Sequence, residues 1–498
     1  MTRPYGPVHA RPGGVVVDRR RDRSGTSTGW SPPLLLLLLG GVFPLIFTEL
    51  DAGSLFDPPV LLALVITQWA SLRIAGILAR GKAHIVQATF WVFVYIWFGL
   101  AALAQTVEQR FPIASQTFSE GHQIEALLVI IVGLAAYEIG LLAYPSVAAP
   151  KLFRWSASRQ ISLRRVWVIA GLGAAGTLFA LWRYGLRVLL SSRYTAAEAV
   201  YGGPGPGVRL DQGGNKALGL LEVTLVWAPA FLALYLLLVL DKTPETSLQP
   251  RSNRFTSSAR ARMMLIGLVI ANLFVNNPIS SPRYRFGGVA LALLAVLWPL
   301  FNRRRLRLWV CGLLFGVMVA FPLLEVFRYD TRNTDIAPLK ELLLTSPDFG
   351  MFQQELNAQV YVDEQGFTLG EQVLGVVLGY FPRALWPGKP IDTGDLIVRT
   401  NAINASASLW ATVFVDGGFL AVVATFLAYG WLTRICEQQY LWRWQESSFI
   451  AAAIPLYAGF QIILLRGDLQ PAVGSLAPLL VMLLFVSRRS GRPLVRCI

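Results

Sequence analysis

Twelve apolar runs, each close to the length needed to cross a bilayer, divide this 498-residue chain and leave little room for any other architecture. About 20 mostly apolar residues in a helix cross the roughly 30 Å of hydrocarbon. The runs fall at 33–48, 59–78, 85–105, 126–144, 166–182, 218–240, 263–279, 286–301, 308–326, 409–432, 449–465 and 472–486. Their apolar residues are near-continuous, neither spaced for one helix face nor alternating as in a strand, so they do not describe soluble domains. With 54% hydrophobic and 15% charged residues, the chain also lacks the charge that covers a soluble surface, for which about a quarter is usual. The expected fold class is all-α: a polytopic integral membrane protein of about twelve transmembrane helices, with a long outer loop carrying short helices. Its membrane domain spans 30–487, between a basic disordered tail at 1–29 and a short basic tail at 488–498.

A net charge of +15 would point to nucleic acid if the cations shared a face, but they are sorted by loop. With the N-terminus inside, the inner segments and their membrane edges hold 29 of the 44 Lys and Arg, and the longer outer segments hold 15. This bias is the positive-inside rule, and it places both termini in the cytoplasm of a cell whose inner membrane the chain crosses many times. The inner segments net +23 and the remainder −8, so the excess charge is topological and no nucleic-acid partner is expected. Arg19, Arg20, Arg21 and Arg23 precede the first apolar run, which ends without a small-x-small cleavage pattern and reads as an uncleaved signal anchor.

Three cysteines (Cys311, Cys436, Cys497) and three histidines (His9, His84, His122) show no metal-ligand spacing and no arrangement for a His-centred triad. The acidic pair Asp363-Glu364 reads as a helix end or a solvated turn. There is no P-loop and no dinucleotide fingerprint, so neither a metal nor a cofactor is expected. Polar residues concentrate instead in two outer loops, 183–216 and 328–408, whose lengths are typical of functional segments. The second contains helical pieces at 351–362 and 370–380. Its apolar stretch 372–385 is too short to cross, so it is expected to lie at the interface or to dip in and return.

Arginine breaks the positive-inside rule at Arg183, Arg187, Arg193, Arg283, Arg285, Arg328, Arg332, Arg383 and Arg466, which cluster at span ends and in the two long loops. A guanidinium donates in a planar fork that suits phosphate. Snorkelling to lipid headgroups, or pairing with a nearby Asp, is the plainer alternative for any one of them. Between the seventh and eighth runs, Asn276-Asn277-Pro278-Ile279-Ser280-Ser281-Pro282-Arg283-Tyr284-Arg285 is expected to break the helix and leave backbone groups free beside a polar cavity.

The order Asn277-Pro278, Arg283-Tyr284, Arg328-Tyr329-Asp330, Asp348-Phe349 before a helix, Pro382-Arg383-Ala384-Leu385-Trp386-Pro387-Gly388-Lys389-Pro390 and Leu465-Arg466-Gly467-Asp468 resembles the oligosaccharide repeat-unit polymerases of the O-antigen polymerase type. The likeness is carried by motifs over about 263–486 and by hydropathy alone before that, and the stretch 392–407 matches nothing in it. The resemblance implies a GT-C-like membrane glycosyltransferase that polymerises undecaprenyl-pyrophosphate-linked oligosaccharide at the outer face of the cytoplasmic membrane. It also implies membrane lipid, and a chain-length regulator or flippase, as partners.

A sugar linked to a diphosphate already has a good leaving group, so such an enzyme must stabilise the departing diphosphate and deprotonate an acceptor hydroxyl. Candidate pyrophosphate ligands are Arg187, Arg193, Arg283, Arg285, Arg328, Arg383, Lys389 and Arg466. Candidate bases are Asp348, Asp330 and Asp468, each of which can equally serve as an Arg partner or a helix cap. Asp468, two residues after Arg466, is the clearest case for simple pairing. Tyr284, Tyr380, Trp386 and Trp410 offer faces for sugar rings or form an ordinary aromatic belt. Two other activities fit the same hydropathy: a ligase that moves the glycan to a different acceptor, and a lipid-linked oligosaccharide flippase. A flippase needs charged groups along a path between its spans, and only Glu138, Glu222 and Asp416 stand out there.

Overall fold

The computed structural model describes residues 31–50, 53–81, 84–113, 117–143, 159–192, 216–242, 259–298, 303–324, 337–379, 381, 385–398, 406–443 and 448–489. Each of the twelve apolar runs falls on a helix. In chain order the helices are α1 (Pro32–Phe47), α2 (Pro58–Arg80), α3 (Ile85–Glu108), α4 (Glu120–Leu142), α5 (Leu163–Leu189), α6 (Lys216–Lys242), α7 (Ala259–Val275), α8 (Arg283–Leu297) and α9 (Arg304–Leu323). There follow the short α10 (Leu339–Thr345), α11 (Met351–Gln365), α12 (Glu371–Val377) and α13 (Thr393–Val398), then α14 (Leu409–Arg443), α15 (Phe449–Arg466) and α16 (Leu469–Val486). Among the described residues nine of these are long and apolar enough to cross a membrane: α2 to α6, α9 and α14 to α16. The chain is therefore an all-helical polytopic membrane protein. The helices on the other three runs, α1, α7 and α8, are shorter. Two three-residue strands, β1 (Arg159–Ile161) and β2 (Ser487–Arg489), pair antiparallel and tie the start of α5 to the end of α16.

Two hydrophobic clusters hold the bundle. One gathers α1 to α4, α9 and α14, the other α5 to α8 and α16, and α15 packs into both. Small residues set the closest helix pairs, as expected where lipid gives no hydrophobic push between helices. A β-carbon on Gly140 or Gly430 would collide with the facing backbone of α14 or α4, so these glycines let the two helices touch. Of the charges on the spans, Glu138 is paired with Arg73, whose Nε lies 2.6 Å from Glu138 Oε1. The side chain of Glu222 lies outside the described residues.

Three departures from the sequence reading position the candidate site. First, α5 runs on to Leu189 past a kink at Gly185 (φ 73°), which places Arg183 and Arg187 on a helix rather than in a loop. Second, α14 bends at Gly417 and Gly418 (φ 59°), and Asp416 just before the bend caps α12: it accepts from Thr368 Oγ1 (2.5 Å), Gln372 N (3.0 Å) and Val373 N (2.8 Å). The bound α12 is one short element that does not cross, and it leaves Val373, Leu374 and Val377 exposed, as expected for an interfacial piece. Third, the helical piece expected at 351–362 is α11, which carries Gln353, Gln354, Glu355, Asn357 and Gln359, and the sequence carries no sign of its surroundings. Its first nine residues are wholly buried among α3, α4, α13 and α14. Asp363 and Glu364 end it in solvent, where Asp363 Oδ2 meets His122 Nε2 at 3.0 Å.

Candidate functional site: two arginines on one carboxylate

The turn Pro347-Asp348-Phe349 sits between α10 and α11, with Ser346 Oγ accepting from Asp348 N (3.3 Å) and proline in the first position, where its missing N–H costs nothing. Gln105 on α3 pins the turn by donating to Leu343 O (2.8 Å) and Phe349 O (3.1 Å). Trp97 Nε1 donates to Asp348 O (2.7 Å). So held, the Asp348 carboxylate receives one arginine from each side: Arg283 Nη2 on Oδ2 at 3.0 Å, from the first turn of α8, and Arg466 Nη2 on Oδ1 at 2.7 Å, from the last turn of α15. Arg466 Nε also donates to Asp348 O (3.1 Å). Phe321 carries both guanidiniums on its ring, at 4.8 Å for Arg283 and 5.6 Å for Arg466. All three charged side chains are less than a fifth exposed. Among the described residues two guanidiniums thus face one carboxylate in a poorly hydrated place.

Asp348 is thereby an organiser of arginines. Both its oxygens accept charge-assisted bonds, so taking a proton would mean giving one up.

Asp468 lies two residues beyond Arg466 and, contrary to the simple pairing expected from sequence, does not meet it. Its Oδ1 accepts from Gly394 N (2.8 Å) and Ala407 N (2.9 Å), and it lines a narrow cleft with Gln372, Asp392, Thr393 and Gln470. Burial, then the neighbouring Asp392, push its carboxyl up to about 8, against the two backbone bonds that favour the charged form. The stretch 392–407, which has no counterpart in the resemblance, thus supplies the groups that hold Asp468.

The other candidates separate. Arg285, two residues from Arg283, points to the opposite side of α8, where its guanidinium lies 5.0 Å from the Trp227 ring centre. It is 9% exposed, and its Nε has no hydrogen-bond partner among the described residues. Arg187 is exposed at the end of α5. Lys389 donates to Gly379 O (2.5 Å) and, with the Gln470 amide oriented to suit both neighbours, to Gln470 (2.8 Å), so it caps the end of the α12 segment away from the arginine pair. Arg193, Arg328, Arg383, Asp330 and Tyr380 lie outside the described residues. Tyr284 and Trp386 are half-buried. Trp410 is wholly buried, its ring 3.9 Å from that of Phe426 and packed on Phe90 and Phe98, so no face is open to a sugar.

Asn277 and Ser280 serve the backbone at the break between the two helices. Asn277 Oδ1 accepts from Ile279 N (2.9 Å) and Ser280 N (2.8 Å), while its amide and the Ser280 hydroxyl both reach Leu189 O. The helix break expected there is present between α7 and α8.

Glu355 on α11 escaped the sequence reading. Wholly buried, it accepts from Ser408 Oγ (3.2 Å) through Oε2, and Oε1 has no partner among the described residues. Burial pushes its carboxyl up to about 8, and the Ser408 bond opposes this. Ala407 and Ser408 therefore bridge two unusual carboxyls, Asp468 and Glu355. No local signal marks Glu355, because one acidic residue in a polar helix is ordinary.

The fold and this site define a class, multi-pass helical membrane proteins with a paired-arginine carboxylate near the bundle end. Comparison with family models, with curated proteins and with solved structures finds no match to the chain.

Proposed function

We propose that the chain is a membrane glycosyltransferase that polymerises oligosaccharide repeat units carried on a lipid pyrophosphate, acting at the outer face of the cytoplasmic membrane. The observation that carries this reading is the convergence of Arg283 and Arg466, from helices far apart in sequence, on one fixed carboxylate, with a protonatable Asp468 two residues further on. In the proposed step an acceptor hydroxyl attacks the anomeric carbon of the lipid-linked sugar. The carbon–oxygen bond to the diphosphate breaks and its electron pair leaves with the diphosphate, whose charge the arginines stabilise. Asp468, ionised, takes the hydroxyl proton. Asp468 is preferred over Asp348 as base because its second oxygen carries no guanidinium. The local satisfaction of Glu138 and Asp416 also supports an enzyme over a flippase, since neither is held in reserve along a path.

The test is purified protein in nanodiscs supplied with lipid-linked repeat units. A ladder of lengthening glycan supports polymerisation. Transfer of intact glycan to a different acceptor without lengthening supports a ligase, and movement across the bilayer with no new glycosidic bond supports a flippase.

A further inference from the structure

At the last turn of α3, next to the Gln105 that holds the Asp348 turn, lies an open cavity of about 270 Å³, close to the lower end of the roughly 300–1,000 Å³ range of small-molecule sites. It is walled by the first turn of α2, the last turn of α3 and the first turn of α4. Its polar lining is Asp57, Thr106, Gln109, Glu120 and Gln123, and its apolar lining includes Phe118. Gln109 and Gln123 exchange amide hydrogen bonds (2.8 and 3.2 Å), and Gln109 also donates to Thr106 O (2.7 Å), which makes one wall rigid. Gln109 is the residue that ends α3, in the left-handed region (φ 49°) that commonly terminates helices. Asp57 and Glu120 stand exposed at its rim, and their carboxylates have no hydrogen-bond or ion-pair partner among the described residues. No Lys or Arg lines the cavity.

We infer that this cavity binds an uncharged sugar ring of the glycan. Carboxylates accept from hydroxyl pairs, amides add donors and acceptors, and an aromatic face covers the C–H side of a pyranose. The lack of a lining cation disfavours a phosphate or a uronic acid. The cavity and the arginine site share α3: Gln105 holds the Asp348 turn, while Thr106 and Gln109, within about one helical turn, line the cavity. A glycan whose diphosphate sits between Arg283 and Arg466 can therefore extend towards it. Which sugar arrives there rests on the proposed glycosyl transfer; that a neutral sugar binds does not.

The experiment uses the full chain in nanodiscs with two probes. Saturation-transfer difference NMR reads contact with N-acetylglucosamine, galactose, mannose and rhamnose, and calorimetry reads inorganic pyrophosphate. At least one neutral sugar is expected to bind, and the pair Asp57→Asn with Glu120→Gln should weaken it about tenfold or more while leaving pyrophosphate binding and thermal stability unchanged. Absence of sugar contact, or contact that these substitutions leave intact, overturns the inference. So does calcium binding that replaces sugar binding and depends on the same two carboxylates. Loss of pyrophosphate binding with sugar binding retained counts against the arginine site alone and upholds the cavity.

Discussion

Replacing Arg466 by lysine keeps the charge and removes the fork, which makes it the sharpest test of the arginine site. The guanidinium spans two acceptors of one residue, Asp348 Oδ1 at 2.7 Å and Asp348 O at 3.1 Å, and an ammonium at the end of a flexible chain cannot reproduce that pair. Loss of one hydrogen bond to a charged group costs roughly 1.5–3 kcal/mol. If that bond orients the arginine for the departing diphosphate, the rate falls roughly ten- to a hundredfold, at about 1.4 kcal/mol per tenfold. Arg283→Lys should behave alike, and the double variant should lose less than the two single losses combined, because both arginines act through one carboxylate. The initial rate of ladder formation in nanodiscs measures this, with Arg305→Lys as the control, since orientation by the inner loop needs only positive charge. Equal tolerance of lysine at positions 466, 283 and 305, at normal protein levels, would refute the proposed diphosphate site and return Arg283 and Arg466 to headgroup binding.

Asp468 predicts a pH profile. A base held up to about 8 is mostly protonated at neutral pH, so the rate should climb with pH and level off above about 8, and Asp468→Asn should abolish the climb together with the activity. Glu355 predicts a stability profile instead. Its raised folded value, about 8 against an ordinary 4.5, means that its contribution is complete below about 4.5 and is lost as pH rises through 8; melting temperatures between pH 5 and 9 should fall for the native chain and fall less steeply in Glu355→Gln, which keeps the Ser408 bond and leaves the similar contribution of Asp468 in place. Cysteine labelling should modify a single cysteine at position 364 in intact cells, and one at position 304 only after permeabilisation; the reverse pattern contradicts the orientation inferred from Lys and Arg.

Each apolar run falls on a helix, nine of which among the described residues are long and apolar enough to cross a membrane, because the need to satisfy backbone hydrogen bonds inside hydrocarbon leaves a long apolar run no other regular choice. The sequence also marked the breaks, such as Asn277-Pro278, where a proline and short polar side chains stop a helix by local means. Arg283, Asp348 and Arg466 were visible as unusual residues at run ends, but their meeting was not, since 65 residues separate the first two and 118 the last two. Only the packing of α8 and α15 around the turn before α11 brings them together. The same distinction separates Trp410 and Glu355 from their appearance in sequence: an aromatic at a span end is covered by Phe426 and Phe90, and the first nine residues of a polar helix are buried. Burial is a property of neighbours. It is decided by which helices pack against a segment, and in this chain it turned two ordinary acids, Asp468 and Glu355, into carboxyls that hold their protons near neutral pH.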